Sequence, residues 1–282
     1  MKPSPPSKLR RLRLEAADAP RVDLSGPTRR EHDLLGERDV PVSALYGIQT
    51  LRAIENFCIS GVELSEFPTL IAALATVKEA AARANFEMKL LDGEIAEAIS
   101  MAAAEIREGL HCEHFRVDMI QGGAGTSSNM NANEVIANRA LEILGKQRGD
   151  YDVVHPNNHV NLSQSTNDVY PTAVKLALHA NISDLQLAMI ALAAAFLHKG
   201  EEFASFIKMG RTQLQDAVPM TLGQEFNAFA HTMLEDVDRL GEAQALIREI
   251  NMGATAIGTG INAPPEYAES VRRHLEHITG LP

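Results

Sequence analysis

The sequence contains no tryptophan, and aromatic residues make up only 5% of its 282 residues. Proteins that recognise nucleic acids or carbohydrates commonly stack them on aromatic side chains, so this scarcity argues against both kinds of surface. Basic residues are also few, since 26 Lys and Arg stand against 37 Asp and Glu and give a net charge of −11. That charge disfavours general binding to nucleic acids or anionic membranes. It does not exclude anionic small molecules, because a local site can differ in charge from the whole surface.

Cysteine is rare as well, with only Cys58 and Cys112 in the chain. This pair implies no disulfide framework and fits a reducing compartment, so we expect a cytoplasmic protein. The longest largely apolar run, residues 185–197, is about 13 residues long, which is too short to span a bilayer. No secretory apolar segment follows Met1. We therefore expect neither membrane insertion nor secretion.

The chain divides by composition into three parts. Residues 1–29 are rich in proline, lean basic and lack apolar periodicity, which is typical of a disordered tail. From residue 30 onward apolar residues recur at helical spacing, and strand-like alternation is scarce. We predict a mainly α fold, with an N-terminal helical domain over 30–165 followed by part of a long-helix bundle domain over 166–282.

Helix signals are clearest in three places. One helix is predicted to begin after Asp92 as its N-cap and to stop near Gly109. Two longer helices each carry an apolar seam at heptad spacing. The first seam comprises Leu178, Ile182, Leu185, Met189, Leu192 and Phe196, and the second comprises Leu222, Phe226, Phe229, Met233, Val237, Leu240, Ile247 and Ile250. We interpret both as core packing, inside a large bundle or at an oligomer interface.

Three polar clusters are rich in Gly, Ser, Thr, Asn and Gln but nearly free of charge. They cover residues 121–134, 155–171 and 209–225. The first contains Thr126 and two serines after a glycine-rich turn, and on its own it fits a helix cap. The third contains Thr212 and Gln213, and on its own it fits a structured loop between two long helices.

The second cluster carries more donors than a cap requires. Ser165, Thr166 and Asn167 immediately precede the first long helix. Free N–H groups and the positive end of the helix dipole make such a terminus suitable for a carboxylate or phosphate. A helix over 168–198 would be about 45 Å long, and the third cluster follows its far end. The second and third clusters are therefore expected to meet only between subunits that pack antiparallel, in a shared site.

A metal site is not predicted. His111 and His114 are neighbours at i,i+3 with a cysteine and a glutamate between them, but no third ligand at a diagnostic spacing is evident. A surface helix end explains this segment.

Six stretches together resemble the aspartase/fumarase superfamily, from about Arg30 to the end of the sequence. They read EHDLLGERDVP, ALYGIQTLRAIENF, QGGAGTSSNMNANEVIANRALE, HPNNHVNLSQSTNDVYPTA, GRTQLQDAVPMTLGQEF and MGATAIGTGIN. The GGAGTS form and the Ser165-Thr166 pair resemble the aspartases more than the fumarases. Gln213 stands where fumarases and some aspartases carry histidine.

The resemblance implies a homotetramer with a bundle of long helices and active sites built from several subunits. It also implies that Thr126, Ser165, Thr166 and Asn167 hold the substrate carboxylates, that Thr212 and Gln213 approach the amine end, and that His155 belongs to a secondary anion site. The expected reaction is the reversible elimination of ammonia from L-aspartate to give fumarate through an aci-carboxylate, with neutral donors stabilising the charge and no cofactor.

The superfamily's flexible loop supplies a serine base and a carboxylate-binding lysine, and nothing after Gly260 matches it. We therefore expect an N-terminal portion of such an enzyme that is inactive alone, and assign no catalytic base. Two alternatives stay open. One is a class II fumarase, and the other is a non-catalytic truncated homologue that acts as an oligomerisation module.

Overall fold

The computed structural model describes Val22 and residues 24–282. Most of the predicted tail over 1–29 lies outside the described residues. Its boundary was set too late, because a strand already begins at Thr28. Arg29 fixes this strand by donating from both Nη atoms to backbone carbonyls, including those of Ala44 at 2.8 Å and Tyr46 at 2.7 Å.

The chain forms two compact units. The first holds the described residues up to Val174 together with Ile250–Pro282, and the second holds Lys175–Glu249. The first unit contains strands β1 (Thr28–Asp33) and β2 (Gly36–Pro41), helices α1 (Ile48–Asn56), α2 (Pro68–Glu87), α3 (Gly93–Arg107), α4 (Thr126–Ile143) and α7 (Tyr267–Thr279), and the beginning of α5 (Thr166–Glu202). The second contains the rest of α5, strands β3 (Ile207–Thr212) and β4 (Gln215–Thr221), and helix α6 (Leu222–Leu246).

The predicted mainly α fold is confirmed. Helix α3 begins where predicted, since Asp92 Oδ1 accepts a hydrogen bond from the backbone N–H of Glu94 at 2.9 Å. It ends at Arg107, and Gly109 follows with a φ of +94°. Alanine and aliphatic side chains of α2, α3 and α4 form the core of the first unit.

The residues after 250 pack on the first unit, although the sequence-based division placed them with the long helices. Tyr267 and Val271 of α7 are fully buried. Ser270 Oγ donates to Glu87 Oε2 on α2 at 2.6 Å. Helix α5 also continues unbroken across residue 174. The division at 165/166 stays a prediction about domains.

Two β-hairpins were not predicted. In the first, Arg30 on β1 pairs with Asp39 on β2 at 3.2 Å, and its strands are too rich in charge to show apolar alternation. The second hairpin replaces the structured loop expected over 209–225. Gln213 and Leu214 form its tip with φ of 49° and 64°. A two-residue turn with both residues in the left-handed region usually has the sequence Asn-Gly, whereas this turn has Gln-Leu.

The apolar seams of α5 and α6 are not fully buried within the second unit. Phe196 of α5 contacts Phe226 of α6, with ring centroids 6.0 Å apart, so part of the seam does pack inside the chain. However, Leu178, Leu185 and Leu192 are each more than 40% exposed. The interpretation of this seam as core therefore fails within one chain.

Helix α5 also bears on the membrane prediction. By length and composition alone it is long and apolar enough to cross a bilayer, a test that the core helix of a soluble protein also passes. The sequence analysis counted only uninterrupted apolar residues and therefore missed the spanning length of α5. Scattered polar residues interrupt such a run but lower the average hydropathy of the helix only a little. The same composition also suits a helix packed between subunits.

Candidate active site

The start of α5 is built around a buried carboxylate. Asp168 has no exposed surface, and its Oδ1 accepts from the backbone N–H of Ser165 at 3.0 Å. Its Oδ2 accepts from the backbone N–H of Thr255 at 3.0 Å. Burial raises the pKa of Asp168 above its ordinary value. This carboxylate therefore ties the start of α5 to the backbone of Ser165 and Thr255.

The three residues before Asp168 are the predicted donors of the second cluster. Ser165 and Thr166 are half-buried, and Asn167 is exposed. Ser165 Oγ accepts from the backbone N–H of Asn167 at 3.2 Å. Asn167 Nδ2 donates to the carbonyl of Ala256 at 2.7 Å. The cluster therefore sits at a helix N-terminus, where backbone dipoles favour an anion.

The first cluster meets the second at this point. Thr126 is the first residue of α4 and is exposed. Asn129, one turn later, donates from Nδ2 to Thr166 Oγ1 at 3.2 Å. Gly125 has a φ of +87°, and a Cβ there would lie 2.3 Å from the Tyr170 ring of α5. Glycine is required here because of both the left-handed backbone and the close approach of the Tyr170 ring. The starts of α4 and α5 therefore pack directly against each other.

A buried lysine supports the loop beneath these donors. Lys78 on α2 is fully buried, and its Nζ donates to Asn161 Oδ1 and to Gln164 Oε1, each at 2.9 Å. Asn161 Oδ1 also accepts from Asn129 Nδ2 at 3.1 Å. Burial lowers the pKa of Lys78 to about 7, partly opposed by the charge of Asp168.

Sequence reasoning did not single out Lys78 or Asn129 individually. Lys78 lies four residues after Leu74 and therefore on the apolar face of α2, which was the one available signal. Ser163 and Asn85 also hold this loop, because Ser163 Oγ donates to Asn85 Oδ1 on α2 at 2.7 Å. The loop over 161–168 is thus held by side chains of two helices.

His155 lies beside a cavity of about 1150 Å³ in the first unit. Its Nδ1 accepts from the backbone N–H of Asn157 at 3.0 Å and of Asn158 at 3.3 Å. Ser127 and Arg52 also line the cavity, but Arg52 is paired with Asp33 at 2.9 Å. Burial lowers the pKa of His155, so the ring is neutral near pH 7. Arg38 also lines the cavity, and its side chain is half-exposed and lies 3.5 Å from Glu55, so it is a cation that an anion could reach there.

Thr212 and Gln213 belong to the second unit. Thr212 ends β3, Gln213 begins the hairpin tip, and both are exposed. The structure thus places Thr126, Ser165, Thr166 and Asn167 at the adjacent starts of α4 and α5 in one unit, whereas Thr212 and Gln213 lie on the hairpin of the other unit.

A family profile described as lyase matches residues 36–282. The chain belongs to this family. The lyase chain is 57% identical over 256 residues to aspartate ammonia-lyase of Pseudomonas aeruginosa, covering 90% of this chain and 54% of that protein. It is 48% identical over 260 residues to aspartate ammonia-lyase of Escherichia coli, covering 92% of this chain and 54% of the relative. It spans about half the length of the curated relatives that it matches.

Solved structures agree with this membership. A fumarate lyase:delta crystallin from Brucella melitensis, bound to cobalt, superposes on the lyase chain with a TM-score of 0.88 at 60% identity, covering 90% of this chain and 55% of that one. A class II fumarase from Schistosoma mansoni gives a TM-score of 0.80 at 35% identity, covering 90% of this chain and 53% of that one.

Proposed function

We propose that this lyase chain contributes to an aspartate ammonia-lyase activity, the reversible elimination of ammonia from L-aspartate to give fumarate. The observation that carries the proposal is the N-terminus of α5, where the hydroxyl and amide groups of Ser165, Thr166 and Asn167 lie at the positive end of the helix dipole, an arrangement that suits an anion. The similarity to proteins named aspartate ammonia-lyase at 48–57% identity supports this substrate.

The chemistry requires such groups because charge builds up on one carboxylate. A base removes a proton from Cβ, and the electron pair moves into the adjacent carboxylate to give a doubly charged aci-carboxylate. When the Cα–N bond breaks, ammonia leaves with the bonding pair and the Cα=Cβ double bond of fumarate forms. Preorganised neutral donors stabilise the intermediate without adding a competing negative charge. No residue of this chain is assigned as the base.

We assign the carboxylate contacts to Thr126, Ser165, Thr166 and Asn167, and the amine end to Thr212 and Gln213. The rigid support of Thr166 by Asn129 suits the first role, because a donor held in place loses little entropy when the substrate binds. Gln213 cannot titrate, so departure of ammonia would not depend on an acid at that position. His155 and its cavity are proposed as a secondary anion site.

We further propose a homotetramer whose long helices form a shared bundle and whose active sites combine several subunits. The exposed seam residues Leu185 and Leu192 support assembly, since two nearly half-exposed leucines one heptad apart form a self-complementary apolar strip. Light scattering is expected to find an oligomer that dissociates when Leu185→Glu and Leu192→Glu are combined. Leu246→Glu, at another exposed apolar position, is the matched control and should assemble normally.

We place this protein in the cytoplasm, with no membrane or nucleic-acid partner. Fractionation after expression tests this, because an integral membrane protein would stay with the membrane pellet after a carbonate wash.

Fumarate formation, followed by its ultraviolet absorbance, tests the reaction. The purified chain is incubated with L-aspartate or L-malate, alone and together with the C-terminal half of the Pseudomonas aeruginosa relative. We expect no product from the chain alone, and fumarate from L-aspartate in the mixture. Thr166→Val should abolish that product, whereas Ser25→Ala, far from the donors in sequence, should not.

The same experiment separates the alternatives. Product from L-malate only would favour a fumarase, for which the Schistosoma mansoni structure is the supporting observation. If neither substrate reacts in either arm while the chain still assembles, the oligomerisation module is favoured and the lyase proposal fails.

A further inference from the structure

The segment between α3 and α4 brings three metal-ligating side chains together. His111 has a left-handed backbone with a φ of 65° and starts a short 3-10 turn, Cys112–His114. This reversal turns the two imidazoles toward each other, with ring centroids 6.5 Å apart and planes inclined by 25°. One ligand atom from each of His111, Glu113 and His114 lies within 4.8 Å of the others. Glu113, the glutamate between the two histidines in the sequence, therefore lies close enough to both imidazoles to be a third ligand.

A carboxylate behind His111 orients its ring. His111 Nε2 lies 3.0 Å from Glu105 Oε2, and Glu105 is itself held by Arg139 through contacts of 2.6 and 2.9 Å. Imidazoles that bind metals usually donate their second N–H to such a carboxylate, which fixes the tautomer and raises the basicity of the free nitrogen. Here this arrangement leaves Nδ1 of His111 as the free lone pair.

His114 is less exposed, and its two nitrogens have different surroundings. Its Nε2 lies 3.5 Å from Glu113 Oε1. Its Nδ1 accepts a long 3.5 Å bond from the Leu45 backbone N–H. A metal at Nε2 would move the ring proton to Nδ1 and give up this weak bond. The free energy lost with this weak hydrogen bond is small compared with the free energy of a metal–nitrogen bond.

We propose that His111, Glu113 and His114 form a binding site for one divalent transition-metal ion of the zinc class, completed by water. Two imidazole nitrogens and one carboxylate oxygen suit zinc or cobalt rather than magnesium or calcium, which prefer oxygen alone. Ligands about 2 Å from a tetrahedral zinc ion lie about 3.3 Å apart, so the group must contract slightly. Glu113 Oε1 already lies 3.5 Å from His114 Nε2, and the 72% exposed Glu113 side chain is free to adjust. This site goes beyond the proposed elimination, which needs no metal.

Metal titration of the chain itself, free of any affinity tag and stripped of metal, tests the site. Addition of Co²⁺ should produce visible d–d absorption that saturates at one ion per chain, and Zn²⁺ but not Mg²⁺ should displace it. We expect His111→Ala and His114→Ala each to weaken binding by at least about tenfold, since even supporting residues contribute that much at metal sites. His277→Ala, an exposed histidine of α7, is the matched control and should bind like the wild type.

Circular dichroism checks that each variant is folded. If a histidine variant unfolds, Glu113→Gln tests the site instead, because its exposed side chain contributes little to folding. Weaker Co²⁺ binding by this variant supports the proposal. Absence of stoichiometric binding by the folded wild type, or unchanged binding in all folded variants, overturns it.

Discussion

Replacement of Lys78 tests whether the loop that carries Ser165 and Thr166 rests on a buried amine. Its two hydrogen-bond partners among the described residues are the side-chain oxygens of Asn161 and Gln164, neither of which is charged. Burial lowers the pKa of Lys78 from 10.5 to about 7. Between these two values the unfolded chain binds a proton that the folded chain has largely released. Stability should therefore rise with pH across this window.

The magnitude follows from linkage. One proton difference changes the free energy of unfolding by about 1.4 kcal/mol per pH unit. Between about pH 7.5 and about pH 9.5, Lys78 should thus add about 2 kcal/mol to the stability of the wild type. Lys78→Met keeps the length and bulk of the side chain but removes the proton and both hydrogen bonds. The stability of the wild type minus that of the variant should therefore become more positive as pH rises.

Urea unfolding followed by circular dichroism at the two pH values measures this difference. Lys146→Met, at an exposed lysine, is the control, and its difference from the wild type should stay nearly constant. A gap between the wild type and Lys78→Met that did not change with pH would refute the reasoning. It would mean that Lys78 stays charged inside the fold.

Three further perturbations have definite expected results. Gly125→Ala should destabilise the chain by about 1–3 kcal/mol more than Gly145→Ala in chemical denaturation, because both have positive φ but only the first places its Cβ 2.3 Å from Tyr170. Asp92→Ala should lower stability by about 1 kcal/mol in the same assay, whereas Asp92→Asn keeps the cap and should cost less. Hydrogen bonds from Ser270 and Arg273 lower the pKa of Glu87 from 4.5 to about 2, so its contribution is present above pH 4.5 and is lost as pH falls toward 2. Acid titration should therefore show α7 loosening over that window in the wild type but not in Glu87→Gln.

The sequence predicted those parts of the fold that follow from local rules. Helix α3 could be placed between its cap at Asp92 and its stop at Gly109 because both signals act within one turn of the helix. The hairpins were not predicted because neither has a short-range sequence signal such as apolar alternation or a common turn motif. The first depends on cross-strand ion pairs such as Arg30–Asp39, and the second turns at Gln213-Leu214, which carries no common turn motif.

The sequence predicted the hydrogen-bond donors of the candidate site, but not the residues that hold those donors in place. Ser165, Thr166 and Asn167 were recognisable since they lie together before a long helix. Lys78 could not be recognised in the same way, because its partners lie 83 and 86 residues away along the chain. Similarly, Glu134 of α4 accepts from backbone N–H groups at the start of α1, including Gly47 at 2.9 Å. Only folding brings such groups together, and a single sequence carries no sign of these pairings.

The composition of α5 fits a bilayer or a protein interior, and its polar residues favour the protein interior. Asp184 lies at the middle of this helix, where a bilayer would place it in the hydrocarbon centre at a cost of about 3 kcal/mol. Gln186, two residues on, donates from Nε2 to the carbonyl of Val237 on α6 at 2.9 Å, and Gln244 of α6 donates to Ser183 Oγ at 2.7 Å. These bonds bind α5 to a helix of the same unit and leave exposed Leu178, Leu185 and Leu192 unpaired. In the proposed assembly, a second copy of the same helix would cover these exposed leucines with a matching apolar surface.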